Sequence, residues 1–257
     1  MAYQALYRKY RPSTFEEVVG QGHIVQTLKN AVENNRIAHA YLFCGPRGTG
    51  KTSIAKIFAR TLNCTSQNHD RPCGQCQNCT DSLNGSHPDI IEIDAASNNG
   101  VDEVRNLIER VKYAPMEGNY KVYIIDEVHM MTQSAFNALL KTIEEPPAHV
   151  IFVFATTEPN KVIPTIVSRC QRFDFTKVAK KDIQHRLEVV CKQEGIQIDP
   201  YAISLISNLC DGGMRDALSI LDQCVAYCTD EINASDVRQI YGVVTLNDIG
   251  KIYHLIY

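Results

Sequence analysis

Eight consecutive residues constrain this chain more than any others. Gly45-Pro46-Arg47-Gly48-Thr49-Gly50-Lys51-Thr52 matches G-x-x-x-x-G-K-[ST] at every position. The run directly follows the apolar Tyr41-Leu42-Phe43-Cys44. It opens a stretch, through Ser53, in which Ile54, Ile57, Phe58 and Leu62 recur at helical spacing. Strand, glycine-rich turn and helix in that order make a phosphate-binding loop. Glycines let successive N–H groups turn toward an anion, and the helix N-terminus adds the positive end of its dipole. Lys51 is placed as a point charge for β- and γ-phosphates, and the Thr52 hydroxyl as a Mg²⁺ ligand. A glycine-rich turn with an incidental lysine has neither the strand before it nor the helix after it. Gly45 through Ser53 are therefore the expected nucleotide-binding residues.

Such a loop needs a sheet to stand on. Short apolar runs at Ala40–Cys44, Ile90–Asp94, Lys121–Asp126, Val150–Ala155 and Arg172–Phe175 read as strands, several covered on both faces. Helical patterns follow Lys51, Val101 (Val104, Leu107, Ile108, Val111) and Thr132 (Phe136, Leu139, Leu140, Ile143). Strand–helix alternation predicts an α/β fold with a five-stranded parallel sheet. From Lys180 onward only helical patterns remain, on Ile183-Leu187-Val190-Cys191, Ile203-Ile206-Leu209, Met214–Cys228 and Ala234–Tyr241. At 257 residues and 44% apolar, the chain suits one or two domains with a sizeable core, and disorder is excluded as the main state. The expected division is a nucleotide-binding domain over 1–178, a small all-α domain over 179–243, and the truncated start of a further domain over 244–257.

Lys121-Val122-Tyr123-Ile124-Ile125 ends in Asp126-Glu127. A P-loop needs a neighbouring strand whose tip reaches the metal. Asp126 would hold Mg²⁺, directly or through water, and Glu127 would act as the base on an attacking water. The bland alternative is a pair of solvated acids. Two acids here favour hydrolysis over transfer to a small acceptor.

Four of the ten cysteines (Cys64, Cys73, Cys76 and Cys79) fall within 16 residues, where even spacing would put fewer than one. Four thiolates in one polar loop suit tetrahedral Zn²⁺ with no open position, so the metal is expected to be structural, in an insertion over 63–88. A redox C-x-x-C is the weaker alternative. His69 and His87 are surplus to such a site and read as solvated loop residues. The remaining cysteines sit mostly inside apolar patterns and read as small buried hydrophobes.

Three further polar elements sit where nucleotide chemistry needs them. Thr156 and Thr157 end a strand at the same sheet edge as Asp126, as a sensor of the γ-phosphate or as an ordinary polar strand end. Arg169, in Ser168-Arg169-Cys170, is either an arginine finger for a neighbour's nucleotide or a surface ion-pair residue. Arg215, in Gly213-Met214-Arg215-Asp216, opens a helix and either senses phosphate or pairs with a nearby acid. The net charge of −3 leaves no global basic field, so any DNA contact must be local. No apolar run approaches the length of a spanning helix. The first twelve residues carry Arg8, Lys9 and Arg11 without an apolar stretch behind them, so no signal peptide is read and a cytoplasmic setting is expected.

Together these elements resemble the AAA+ ATPases, and within them the gamma/tau family of bacterial DNA polymerase III clamp-loader subunits. The resemblance runs from Tyr7-Arg8-Lys9-Tyr10-Arg11-Pro12 and Val19-Gly20-Gln21 through the P-loop, the four cysteines and Ile93-Asp94-Ala95-Ala96-Ser97. It continues with Asp126-Glu127-Val128-His129-Met130, Glu144-Glu145-Pro146-Pro147, Ala155-Thr156-Thr157, Ser168-Arg169-Cys170 and Gly213-Met214-Arg215-Asp216. It implies an AAA+ module with a zinc insertion, a helical lid, and a collar domain beginning near Leu246. It also implies ATP hydrolysis that drives loading of a sliding clamp onto primed DNA. Implied partners are delta- and delta-prime-type subunits, the clamp, primer–template DNA and, through a further C-terminal region, the polymerase. Lys51 and Thr52 would hold phosphate and Mg²⁺, with Asp126 and Glu127 as the metal and water acids. Thr156 would be sensor 1, Arg215 sensor 2 and Arg169 a finger acting in trans. Tyr10, Arg11, Pro12 and Val19 would lie over the adenine. Asn98-Asn99-Gly100 departs from the basic pattern of relatives at the DNA-facing segment. The Phe136–Leu140 helix resembles the clamp-facing helix, though most of its apolar residues read as core. Competing readings are a non-catalytic nucleotide-binding scaffold and a branch-migration helicase of the same superfamily; the cysteine insertion speaks against the latter.

Overall fold

Side chains alternate across a strand, and in the central strands of this chain both faces are apolar. The computed structural model describes residues 3–66 and 71–243. Its five strands are β1 (Ala40–Cys44), β2 (Ile90–Asp94), β3 (Lys121–Asp126), β4 (Val150–Thr156) and β5 (Gln171–Asp174). All pair in parallel, in the order β2-β3-β4-β1-β5. The three central strands are buried nearly throughout, and the edge strands β2 and β5 are partly exposed. Ends differ from the sequence expectation by a residue at β4 and β5, the ordinary scatter of strand boundaries.

The alternation divides the interior into two cores. Leu42, Tyr123, Ile125, Phe152 and Phe154 pack with α5 (Val101–Val111), α6 (Gln133–Glu144) and α7 (Pro164–Val167). Tyr41, Phe43, Val122, Ile124, Ile151 and Val153 pack on the other face with α2 (Gly22–Glu33) and α3 (Lys51–Asn63). Each fully buried Leu, Ile or Phe contributes about 1.5–3 kcal/mol, so these two layers hold the sheet edge that carries the loops. Phe136, Leu139 and Ile143 on α6 are core, and Ala138 and Leu140 pack partly buried against it.

The insertion after α3 is tied in by polar groups. Its helix α4 (Gln77–Asn84) presents Asn78, whose amide donates to Asn63 O at 2.8 Å. Asp89, fully buried, accepts from the N–H groups of Met116, Glu117 and Gly118 at 2.8–2.9 Å. Burial works against its charge, but these bonds outweigh it and hold its carboxyl below the usual range. His87 corrects the expectation of a solvated residue: it is only 4% exposed, and Nδ1 accepts from Asp89 N at 3.1 Å. The buried Asp89 draws that turn inward. His69 lies outside the described residues.

The helical unit contains α8 (Lys180–Glu194), α9 (Pro200–Leu209), α10 (Met214–Tyr227) and α11 (Ala234–Tyr241), with Ile183, Leu187, Ile206, Leu221 and Val237 buried. A capping box between Asn233 and Asp236 starts α11. The compact units divide differently from the expected 1–178 boundary: residues up to Arg11 group with those from Lys177 onward, and Pro12–Thr176 form the other unit. The reason is long-range. Tyr3 OH and Leu6 N donate to the Asp222 carboxylate at 2.6 and 3.0 Å, Lys9 pairs with Glu194 at 2.6 Å, and Tyr10 OH donates to Glu194. Leu6 lies on the short α1 (Leu6–Lys9). Among the described residues no helix is long and apolar enough to cross a membrane. The expected start of a further domain, 244–257, lies outside the described residues.

Candidate functional site

β1 delivers the chain to the P-loop at the C-terminal edge of the sheet. Gly45, Gly48 and Gly50 take φ of 146°, 76° and 98°, all in the region that favours glycine. At Gly45 space adds a second reason: a Cβ there would lie 2.5 Å from Phe175 O and 2.8 Å from Phe175 Cβ. Thr49 Oγ1 donates to Pro46 O at 2.8 Å, closing the turn. α3 then begins at Lys51, whose buried ammonium donates to Gly45 O and Pro46 O at 2.8 Å each. Burial lowers the Lys51 pKa, opposed by the charges of Glu127 and Asp126.

β3 supplies the acids. Val122 and Ile124 face α3, and period two puts Asp126 on that same face. Thr52 Oγ1 donates to Asp126 Oδ2 at 2.6 Å, and Glu127 N donates to Asp126 Oδ1 at 2.9 Å. Hydroxyl and carboxylate oxygens together suit a hard divalent cation, so the pair fits the Mg²⁺ site that a nucleotide there requires. Glu127 has φ 47°, a left-handed conformation that costs a non-glycine residue about 1–2 kcal/mol. Such strain clusters at functional sites.

Four cysteine sulfurs lie within 4.8 Å of one another. Cys64 and Cys79 are buried, and Cys79 lies on α4. Cys73 N approaches Cys64 Sγ at 3.5 Å and Cys76 N approaches Cys73 Sγ at 3.3 Å, so backbone N–H groups already point at sulfur. N–H bonds from Gln75 and Cys76 lower the Cys73 pKa. At Cys76 burial is outweighed by hydrogen bonds from Thr65 and Cys79, which bring the thiol to about 6. Burial pushes Cys64 and Cys79 up. An all-sulfur donor set of this compactness fits a tetrahedral Zn²⁺.

Residues 20–179 match the family model described as DNA polymerase III, delta subunit, and residues 182–230 match that of the DNA polymerase III clamp loader subunit, ATPase lid domain. The chain is 54% identical to DNA polymerase III subunit tau of Bacillus subtilis, over 98% of this chain and 45% of the relative. It is 47% identical to the tau subunit of Escherichia coli, over 96% of this chain and 38% of the relative. Against DNA polymerase III subunit gamma of Buchnera aphidicola it is 41% identical, over 95% of this chain and 67% of the relative. The chain belongs to the DNA polymerase III gamma/tau family. It spans less than half the length of the tau relatives from Bacillus and Escherichia. The RuvB branch-migration motor of Thermotoga maritima superposes with TM-score 0.65 at 18% identity, over 93% of this chain and 74% of that one, a likeness of fold alone.

Within this gamma/tau chain the other expected site residues lie in several places. At the β4 tip, Thr156 is fully buried: its hydroxyl accepts from Glu158 N at 3.0 Å and meets His129 Nδ1 at 3.0 Å. The hydroxyl that touches the acids belongs to Thr157, donating to Glu127 Oε2 at 3.1 Å. The signal was in the sequence. Ile151, Val153 and Ala155 face α3, and the same alternation carries Thr157, not Thr156, to the P-loop side. Arg169 pairs with Glu144 at 2.6 Å and donates to Thr165 O at 2.7 Å and Ser168 Oγ at 3.3 Å; none of these belongs to the P-loop or the acids. In the helical unit, Arg215 sits on α10 with its guanidinium 5.0 Å from the Tyr7 ring centre, and Tyr10 and Arg11 belong to the same unit. Pro12 and Val19 belong to the sheet unit and are half-buried.

Proposed function

We propose that this chain is the ATP-hydrolysing part of a clamp-loader motor subunit, acting within a DNA polymerase III assembly to open a sliding clamp and place it on primed DNA. The observation that carries this reading is the 2.6 Å bond from Thr52 to Asp126, which joins the P-loop to a strand tip bearing a second, strained acid. Thr52 and Asp126 would hold a Mg²⁺, which would neutralise phosphate charge. Lys51 turns from its own loop carbonyls to the β- and γ-phosphates, and the Gly48–Ser53 N–H groups line the phosphates. Glu127 orients a water and takes its proton. Thr157, with Thr156 behind it, reports whether the γ-phosphate is present. Arg169 completes the charge stabilisation at a neighbouring subunit's ATP. Arg215 acts as the second sensor, and Tyr10, Arg11, Pro12 and Val19 take the adenine.

Delta- and delta-prime-type subunits, the clamp and primer–template DNA are the proposed partners, in the cytoplasm. The test is ATP turnover by the protein reconstituted with partner subunits. Turnover rising on addition of clamp and primed DNA is expected. Bound ATP that is never hydrolysed would leave only a nucleotide-held scaffold.

The four cysteines hold a structural Zn²⁺ in this reading. One zinc per chain by elemental analysis is expected. Chelation should lower the melting temperature by roughly 10 °C, a few kcal/mol at about 2–4 °C per kcal/mol for a chain of this size. A metal-free preparation with the same melting temperature would remove the zinc assignment.

A further inference from the structure

We infer that His129 is a positioning residue for Glu127, acting through its Nδ1 atom. The inference rests on the hydrolytic reading above and adds to it a group that no part of that reading uses. His129 lies in a short 3₁₀ turn, Val128–Met130, directly after the strained Glu127. Its side chain is only 6% exposed, and both ring nitrogens have polar neighbours. Nδ1 lies 3.0 Å from Thr156 Oγ1 and 3.4 Å from Glu127 Oε2, and Nε2 lies 3.4 Å from Glu158 Oε1. Glu158 is itself held by Lys161 at 2.8 Å and by its N–H bond to Thr156.

Thr157 and His129 are the groups that meet the Glu127 carboxylate among the described residues. Its left-handed backbone sends the side chain away from the strand direction, and one carboxylate oxygen, Oε2, carries both the Thr157 bond and the His129 contact. The Thr156 hydroxyl is engaged with Glu158 N and His129 Nδ1, while Thr157 bonds Glu127. The imidazole spans that gap, with one nitrogen facing both Thr156 and Glu127. His129 thereby ties the carboxylate orientation to the β4 tip, where the presence of a γ-phosphate is to be read. Reacting groups displaced by about 1 Å lose rate by about 100-fold, so a wandering Glu127 should be felt in the chemical step and not in binding.

A residue that merely fills space would be insensitive to which nitrogen is kept. Asparagine places its amide nitrogen near the Nδ1 position, whereas glutamine reaches the Nε2 position. In the full-length protein assembled with its partner subunits, His129→Ala and His129→Gln are expected to lower kcat about 10- to 100-fold, with KM and equilibrium ATP binding little changed. His129→Asn is expected to recover most of the loss. Combining His129→Ala with Glu127→Gln should be no slower than Glu127→Gln alone. Wild-type kcat in His129→Ala, or equal losses in the Asn and Gln variants, would overturn the inference. The comparison of Asn with Gln still decides if the alanine variant fails to fold. Normal turnover by Glu127→Gln would instead overturn the hydrolytic reading on which it stands.

Discussion

Glu127→Gln in the assembled protein is expected to bind ATP as the wild type does and to hydrolyse it about 10²–10⁴-fold more slowly, the usual contribution of a positioned general base. That range corresponds to about 2.7–5.4 kcal/mol of transition-state stabilisation. Glutamine keeps the size of the side chain and an oxygen to accept from Thr157, so the 3.1 Å contact has a substitute. What it loses is the ability to take a proton from water. Lys51, Thr52 and Asp126 are untouched, and they are the groups placed to hold phosphate and metal. Equilibrium binding together with pre-steady-state phosphate release separates the two effects. Weakened binding at an unchanged hydrolysis rate would mean that Glu127 belongs to the binding machinery instead.

Arg169→Ala carries the second large effect. An arginine supplied to a neighbour's nucleotide is worth about 10³–10⁵ in rate, so hydrolysis by the assembly should fall by that order while ATP affinity stays close to normal. This chain holds the guanidinium ready at its own surface: Glu144 pairs with one nitrogen at 2.6 Å, and Thr165 O takes another at 2.7 Å. An exposed ion pair of this kind contributes little to stability, about 0–1 kcal/mol, so the variant should fold. Action in trans has its own signature. Mixing Arg169→Ala subunits with Lys51→Ala subunits should restore turnover at interfaces where a good finger faces a good P-loop. No recovery on mixing, or full activity of Arg169→Ala alone, would return Arg169 to the role of a surface ion-pair residue.

Features written in contiguous residues are legible in the sequence alone. The P-loop, the Asp126-Glu127 strand tip and the cysteine cluster are local, and the backbone that carries them follows from glycine placement and apolar period. Features that depend on distant partners are not. The assignment of residues up to Arg11 to the helical unit depends on Asp222 and Glu194, some two hundred positions away in sequence, and nothing in the local pattern announces it. His87 looked like a loop histidine because its burial is set by Asp89 gathering the 116–118 backbone. The choice between Thr156 and Thr157 lay between the two. Strand alternation carries Thr157 to the face of Asp126 once Asp126 is known to face α3. The pairing of Arg169 with Glu144 joins the end of α6 to the residues between α7 and β5, which lie on either side of β4 in the sequence, and no spacing rule reaches that far.

We propose that hydrolysis at the Lys51–Asp126–Glu127 site is what releases the clamp. A rapid-quench experiment on the assembled loader, with ATP already bound and clamp and primed DNA added, measures both events on one time axis. Phosphate is expected to form before or together with closure of the clamp on DNA, and the clamp is expected to stay held in the Glu127→Gln assembly. Clamps closed and left on DNA with the bound ATP still intact would contradict it.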